Sequence, residues 1–185
     1  LFDSLVDREP AQGSVVAATA LVSFLETDLA STVEKARALI ERGATWYVCD
    51  IFGTRVLGVA LLRHFDEILP ILHAWVDVSD VWVRRTVGVA VHYFAKRAPD
   101  QRERNRLLIR LLLRQIESRE QHVVKGAGWG LETIGKYNPD LLVEVLRKEL
   151  PGKSLSATMR RKLLAKLPPA QHEELSAVLE GPCNP

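Results

Sequence analysis

The sequence predicts an all-α solenoid, a curved stack of helix pairs, and three observations carry that prediction. Apolar residues recur at three- and four-residue spacing in nearly every window, while strict alternation is scarce. Hydrophobic residues form 47% and charged residues 26% of the 185, enough to bury a core and too apolar for a disordered tail. The pattern of residues 66–96 recurs in part 40 and 76 positions further on, and such periods suit helix pairs that bury their apolar faces against one another. Gly (11) and Pro (9) are at ordinary levels, which excludes collagen-like and linker-like chains.

In chain order the spacing predicts helices near 12–26, 31–42, 45–63, 66–77, 80–97, 101–118, 121–137, 139–150, 156–167 and 169–180. Ser31 with Glu34 reads as a capping box for the second. The fourth holds Pro70, and Asp80 can cap the run that begins at Val81. The seventh contains Gly126, Gly128 and Gly130, each costing roughly 1 kcal/mol relative to Ala. Something must therefore approach that backbone closely, either a neighbouring helix or a ligand. Asn138 followed by Pro139 gives an N-cap and a Pro at the first helical position. Pro151-Gly152 and Pro168-Pro169 are stop signals.

The stretch DEILPILHAWVDVSDVWVRRTVGVAVHYFAK, residues 66–96, resembles a HEAT repeat: a Pro-bearing helix, a turn with Asp77 and Asp80, then Val83-Arg84-Arg85 opening a second helix. A shift of 40 places Leu112 on Leu72, Val123 on Val83, Lys125 on Arg85, Leu131 on Val91 and Lys136 on Lys96. A shift of 76 places Met159-Arg160-Arg161 on Val83-Arg84-Arg85. Residues 1–185 read as a single domain of this kind.

Charge is segregated along the chain. Residues 1–80 carry 6 Lys and Arg against 12 Asp and Glu, whereas residues 81–166 carry 19 against 8. The basic half suggests a polyanionic partner; a solvated, salt-bridged helical surface would give the same composition. If second helices line a concave face, Arg85, Lys125 and Arg161 form a track of cations one repeat apart, suited to a phosphate backbone. Arg102, Arg106, Arg110 and Arg114 make a further stripe, open to the same two readings.

Several other features exclude alternatives. The longest apolar stretches, such as Val56 to Leu62, fall short of a membrane span, and no secretory leader pattern opens the chain. The first residue is Leu, which reads as a trimmed chain or a fragment. Cys49 and Cys183 are too few for a disulfide framework and lack zinc spacing, so a reducing, cytoplasmic setting is expected. Gly152-Lys153-Ser154 lacks the earlier Gly of a phosphate loop and follows no strand. His64, His73, His92, His122 and His172 show no metal-binding pairing. Neither metal nor cofactor is called for.

Trp supplies four aromatics, against three Tyr and five Phe. Trp46 and Asp50, four apart, share a helical face, as do Trp82 and Arg85, three apart. The segments Trp46-Tyr-Val-Cys-Asp50, Trp82-Val-Arg-Arg85 and Lys125-Gly-Ala-Gly-Trp129 resemble the AlkD-like DNA alkylation repair glycosylases, in the family's order and at similar separations over residues 31–167. The resemblance implies hydrolysis of the N-glycosidic bond of N3- or N7-alkylated purines in duplex DNA, without a deep base-flipping pocket. It implies that Asp50 is the catalytic carboxylate, Arg85 a phosphate-contacting and site-organising cation, and Trp46 and Trp129 the aromatic walls. Arg84, Arg85, Lys125, Arg160 and Arg161 would meet DNA, and no membrane or obligate protein partner is implied. Only 45 residues precede Trp46, fewer than relatives have, and they contain no Tyr, so part of the family's N-terminal helical portion reads as absent. Two other classes stay open: a catalytically silent DNA-binding solenoid, and a protein-binding scaffold whose basic track meets an acidic partner.

Overall fold

Helix follows helix from Phe2 to Glu180, and among the described residues no regular element is a strand. The computed structural model describes residues 2–180, so Cys183 lies outside the described residues. The elements are α1 (Phe2–Arg8), α2 (Pro10–Val22), α3 (Leu29–Gly43), α4 (Trp46–Phe52), a π-helical segment (Gly53–Leu57), α5 (Gly58–Arg63), α6 (Phe65–Trp75), α7 (Val81–Arg97), α8 (Arg102–Leu113), α9 (Gln121–Tyr137), α10 (Pro139–Glu149), α11 (Ala157–Leu164) and α12 (Pro169–Glu180).

The local chemistry differs from the sequence reading at several ends. The helix expected from 31 begins at Leu29, because Asp28 is its N-cap and accepts from the Ser31 N–H at 3.1 Å; Ser31 is a donor to that cap and not the cap itself. Asp80 caps α7 as expected, accepting from the N–H groups of Trp82 (2.8 Å) and Val83 (2.9 Å). Asn138 occupies the N-cap of α10 with Pro139 at N1, but its side chain does not cap: Nδ2 donates to the Pro99 carbonyl at 2.8 Å, tying the start of α10 to the turn between α7 and α8. The helix over 45–63 is interrupted by the π segment, which the Gly58 N–H closes on the Gly53 carbonyl. The α-helix expected to reach 118 ends at Leu113 and passes into turns. Helix α1 lay outside the predicted set. It buries only Val6 and is held to α3 by Asp3–Lys35 and Asp7–Arg42 ion pairs.

The helices stack in two layers. One contains α2, then α4 and α5, then α7, α9 and α11, each packed on the next; in the other, α10 lies between α8 and α12. Residue contacts run in the same direction along α4–α5 and α7, and again along α7 and α9, so neighbours in the first layer are parallel. One continuous hydrophobic core extends from Val6 to Leu175. This is the helical-repeat architecture that the recurrence of residues 66–96 predicts.

The glycines of the seventh predicted helix have their explanation here. A Cβ on Gly88 would lie 2.2 Å from the Gly126 carbonyl group, one on Gly126 2.5 Å from the Arg85 carbonyl oxygen, and one on Gly130 2.9 Å from the Gly88 oxygen. Helices α7 and α9 thus touch backbone to backbone, and the close neighbour is a helix. The same device acts upstream, where Gly53 faces Val89 and Thr86, and Gly58 lies against the Tyr93 ring.

Candidate active site

Helix α4 buries Val48, Cys49 and Phe52, and helical spacing then turns Trp46 and Asp50 to the other side, one turn apart. The Trp46 ring is 57% exposed and meets Tyr47 edge-on, 5.6 Å between centroids. Asp50 lies level with Arg85 because the glycine contacts set the register of α4–α5 on α7. Its Oδ1 accepts from Arg85 Nη2 at 2.8 Å and from Nε at 3.2 Å. Oδ2 accepts nothing among the described residues and is not buried. Arg85 itself is only 7% exposed, so most of its guanidinium is committed inward, to the carboxylate. Partial burial lifts the Asp50 carboxyl above its ordinary value, with the Arg85 charge working in the opposite sense.

Trp129, one repeat further on, meets a different partner. Its ring stacks on His92 of α7, 3.9 Å between centroids and 23° between planes. His92 Nδ1 lies 2.6 Å from Thr133 Oγ1, and the Thr133 hydroxyl donates to the Trp129 carbonyl at 2.9 Å. With the hydroxyl proton assigned to the Trp129 carbonyl, Oγ1 accepts from His92 and the imidazole carries its proton on Nδ1; with that proton turned to His92 instead, the tautomer reverses. Burial, reinforced by Lys96 and opposed by Glu132, lowers the His92 pKa to about 4, so the ring is neutral at pH 7. Sequence reading gave His92 no role beyond an ordinary histidine. The available signal was its position seven residues after Arg85, two helical turns along the same face. Trp82 likewise has a histidine neighbour, His122, at 4.3 Å.

The basic residues divide by surroundings. Lys125 and Arg161 are exposed and take part in none of the ion pairs among the described residues. Arg84 instead donates from Nε to Gln115 Oε1 at 3.4 Å, and Arg160 Nη1 donates to the Leu179 carbonyl at 2.6 Å. The stripe on α8 is a structural one over most of its length. Arg106 grips both oxygens of Glu144, Arg110 pairs with Glu149 at 2.8 Å, and Arg114 pairs with Asp77. Arg106 and Lys148 accordingly hold the Glu144 carboxyl down at about 2.

Other reactive groups are accounted for. Cys49 is buried with its Sγ 3.4 Å from the Trp82 carbonyl, and burial pushes its thiol up to about 12, which makes it inert as a nucleophile. Lys153 and the Ser154 N–H both face Glu117, so the Gly-Lys-Ser tripeptide presents no phosphate cradle. Among the described residues no three His, Cys, Asp or Glu side chains gather as metal ligands. No helix among them is long and apolar enough to cross a membrane.

Compared with known protein families, residues 1–167 match the family model described as DNA alkylation repair enzyme. No curated protein and no solved structure matches the chain.

Proposed function

Because the chain belongs to the DNA alkylation repair enzyme family, we propose that it is a DNA glycosylase that hydrolyses the N-glycosidic bond of N3- or N7-alkylated purines in duplex DNA. The observation that carries this reading is the Asp50 carboxylate, fixed through one oxygen by a buried arginine and open through the other, one turn from an exposed Trp46.

The chemistry suits a single carboxylate. An N-alkylated purine already bears a positive charge and leaves as a neutral base, so no general acid is needed. Charge develops at the deoxyribose C1′ as in other oxocarbenium-like glycosyl transfers. Oδ2 of Asp50 faces that charge and orients the attacking water, while Arg85 prevents the carboxylate from swinging away. Burial that makes the lone carboxylate costly to ionise also makes an arriving cation more welcome, because the new charge offsets the lost hydration. The negative ring faces of Trp46 and Trp129 favour the sugar cation and the alkylated base. Lys125 and Arg161, one repeat apart and exposed, bind phosphates; Arg85 acts chiefly by organising Asp50.

The test is single-turnover release of 3-methyladenine and 7-methylguanine from methylated duplex DNA by the parent protein and by Asp50→Asn. Loss of a preorganised electrostatic group of this kind should slow release about 10²–10³-fold, with binding to undamaged duplex retained. Equal rates would remove Asp50 from the chemistry. Duplex binding without release by either protein would favour a silent DNA-binding role, and no duplex binding a protein scaffold.

A further inference from the structure

The repeat sets out two lysines that the proposed mechanism does not use. Lys96 and Lys136 stand in the last turns of α7 and α9, one repeat apart in sequence. Both are exposed, and neither enters an ion pair among the described residues. For Lys136 this holds although an ordinary partner stands near. Glu132 lies four residues before it, the spacing at which Glu and Lys normally pair on a helix, yet Lys162 of α11 holds that carboxylate at 2.6 Å. Lys136 Nζ is left over the ring of its neighbour Tyr137, 5.1 Å from the centroid, a contact that does not neutralise its charge. Lys96 has His92 four residues back, a neutral ring at pH 7.

Helical geometry puts both lysines on the side of the Trp129–His92 stack. Eleven residues make three turns with about 20° left over, so Lys136 points as Lys125 does, and Lys96 as Arg85 does. The stacked rings stand between them: Trp129 follows Lys125 by four residues and precedes Lys136 by seven, while His92 follows Arg85 by seven and precedes Lys96 by four. On each helix the three side chains keep to a stripe about 40° wide. Because α7 and α9 are parallel and touch backbone to backbone, Lys96 and Lys136 form a row across the helices. That row lies about 16 Å along α9 from Lys125, with the Trp129 wall between. The separation exceeds the width of either groove of B-DNA, about 6 and 12 Å, so cations on its two sides meet the two strands that border a groove.

We infer that Lys96 and Lys136 form a second phosphate-binding row, which meets the strand opposite the one bound by Lys125 and Arg161, so that the duplex is held by both strands astride the Trp129 wall. The inference rests on the glycosylase reading and adds to it a source of preference for duplex DNA. A single strand fills one row at a time, whereas a duplex fills both. A basic residue in the last turn of a helix also answers the helix dipole, but that role stabilises the fold and is indifferent to DNA.

The experiment measures binding, over a range of salt, to a duplex with one central tetrahydrofuran abasic analogue, which fixes the protein's position. Lys96→Ala and Lys136→Ala should each lower the slope of log K against log salt by about 1, and Lys136→Arg should keep the parent slope. Neutral methylphosphonate linkages are then placed beside the lesion in one strand or in the other. Neutralising one strand should abolish the penalty of Lys125→Ala and leave that of Lys136→Ala; neutralising the other should do the reverse. Sensitivity of both lysines to the same strand overturns the proposal. So do unmoved slopes in Lys96→Ala and Lys136→Ala, the result of a helix-dipole role alone. Were the parent protein not to bind the duplex, the glycosylase reading would fail and this inference with it; binding that Lys125→Ala weakens and neither Lys96→Ala nor Lys136→Ala alters removes the second row alone.

Discussion

Asp50 and His92 are two half-buried ionisable groups that burial drives toward neutrality, and they answer it differently. Asp50 is met by a buried guanidinium 2.8 Å away, whereas His92 has only a hydroxyl and an aromatic face. His92 therefore makes stability pH-dependent. Its folded pKa, about 4, lies below the ordinary 6.5, so its contribution is complete above about pH 6.5 and is lost as pH falls toward 4. Allowing for its partial exposure, lowering the pH from 7.5 to 5 should cost about 1–2 kcal/mol through this residue. Urea midpoints of the parent and of His92→Phe at the two pH values measure it; a parent that loses no more than the variant would show that His92 titrates normally. The sequence pointed to Asp50 and Arg85 through the resemblance of their segments to the family, while helical spacing added only that Asp50 shares a face with Trp46 and Arg85 one with Trp82. It could not pair Trp129 with His92, because that contact depends on how deeply α9 sinks against α7. Nor could it separate Lys125 from Arg84, since the partner of Arg84, Gln115, lies beyond the next helix.

At the scale of the elements, long amphipathic helices were legible and short or irregular ones were not. Helix α1 has seven residues and a single buried side chain, so it offers no periodicity to read; its Asp3 and Asp7 find Lys35 and Arg42 only after the chain has folded back. The π segment is hidden because i→i+5 closure leaves no compositional mark. The glycines of α9 were legible as a demand for close approach, and the structure separates their costs. Gly88→Ala would drive a methyl group into the Gly126 backbone, which cannot yield. Overpacking of 1–3 kcal/mol or more should outweigh the gain of about 1 kcal/mol in helix propensity. Gly128→Ala meets no backbone, only the Lys162 side chain at Cγ (3.0 Å) and Cβ (3.1 Å), which must give by a few tenths of an ångström; its urea midpoint should stay within about 1 kcal/mol of the parent. Comparable losses at both positions would mean that the α7–α9 contact is looser than the structure has it.

For the molecule as a whole, net charge conceals an arrangement. The excess of basic residues over 81–166 splits between the two layers: arginines on α8 pair with Asp66 of α6 and with Glu144 and Glu149 of α10, while Lys125 and Arg161 on the other layer stay exposed. Lys125→Ala and Arg161→Ala should each weaken duplex binding regardless of sequence and reduce the slope of log K against log salt by about 1. Arg106→Ala and Arg110→Ala should leave that slope unchanged, and a fall with either would mean that the α8 layer meets DNA. Composition made a polyanion partner legible but not its side, because like charges read the same whether or not a neighbouring helix satisfies them.

The π segment, finally, bears on what the gene can tolerate. An i→i+5 turn holds one residue more than an α-helical turn, so between Gly53 and Leu57 the chain carries a surplus residue. An in-frame loss of the exposed Arg55 codon would close that turn to an ordinary one and keep Asp50 and Ala60 facing as they do. The same loss between Arg85 and His92 would rotate everything beyond it in α7 by about 100° and unseat the glycine contacts. Circular dichroism and urea midpoints of the two deletions should separate a folded protein from a collapsed one; if both collapse, the surplus is only apparent.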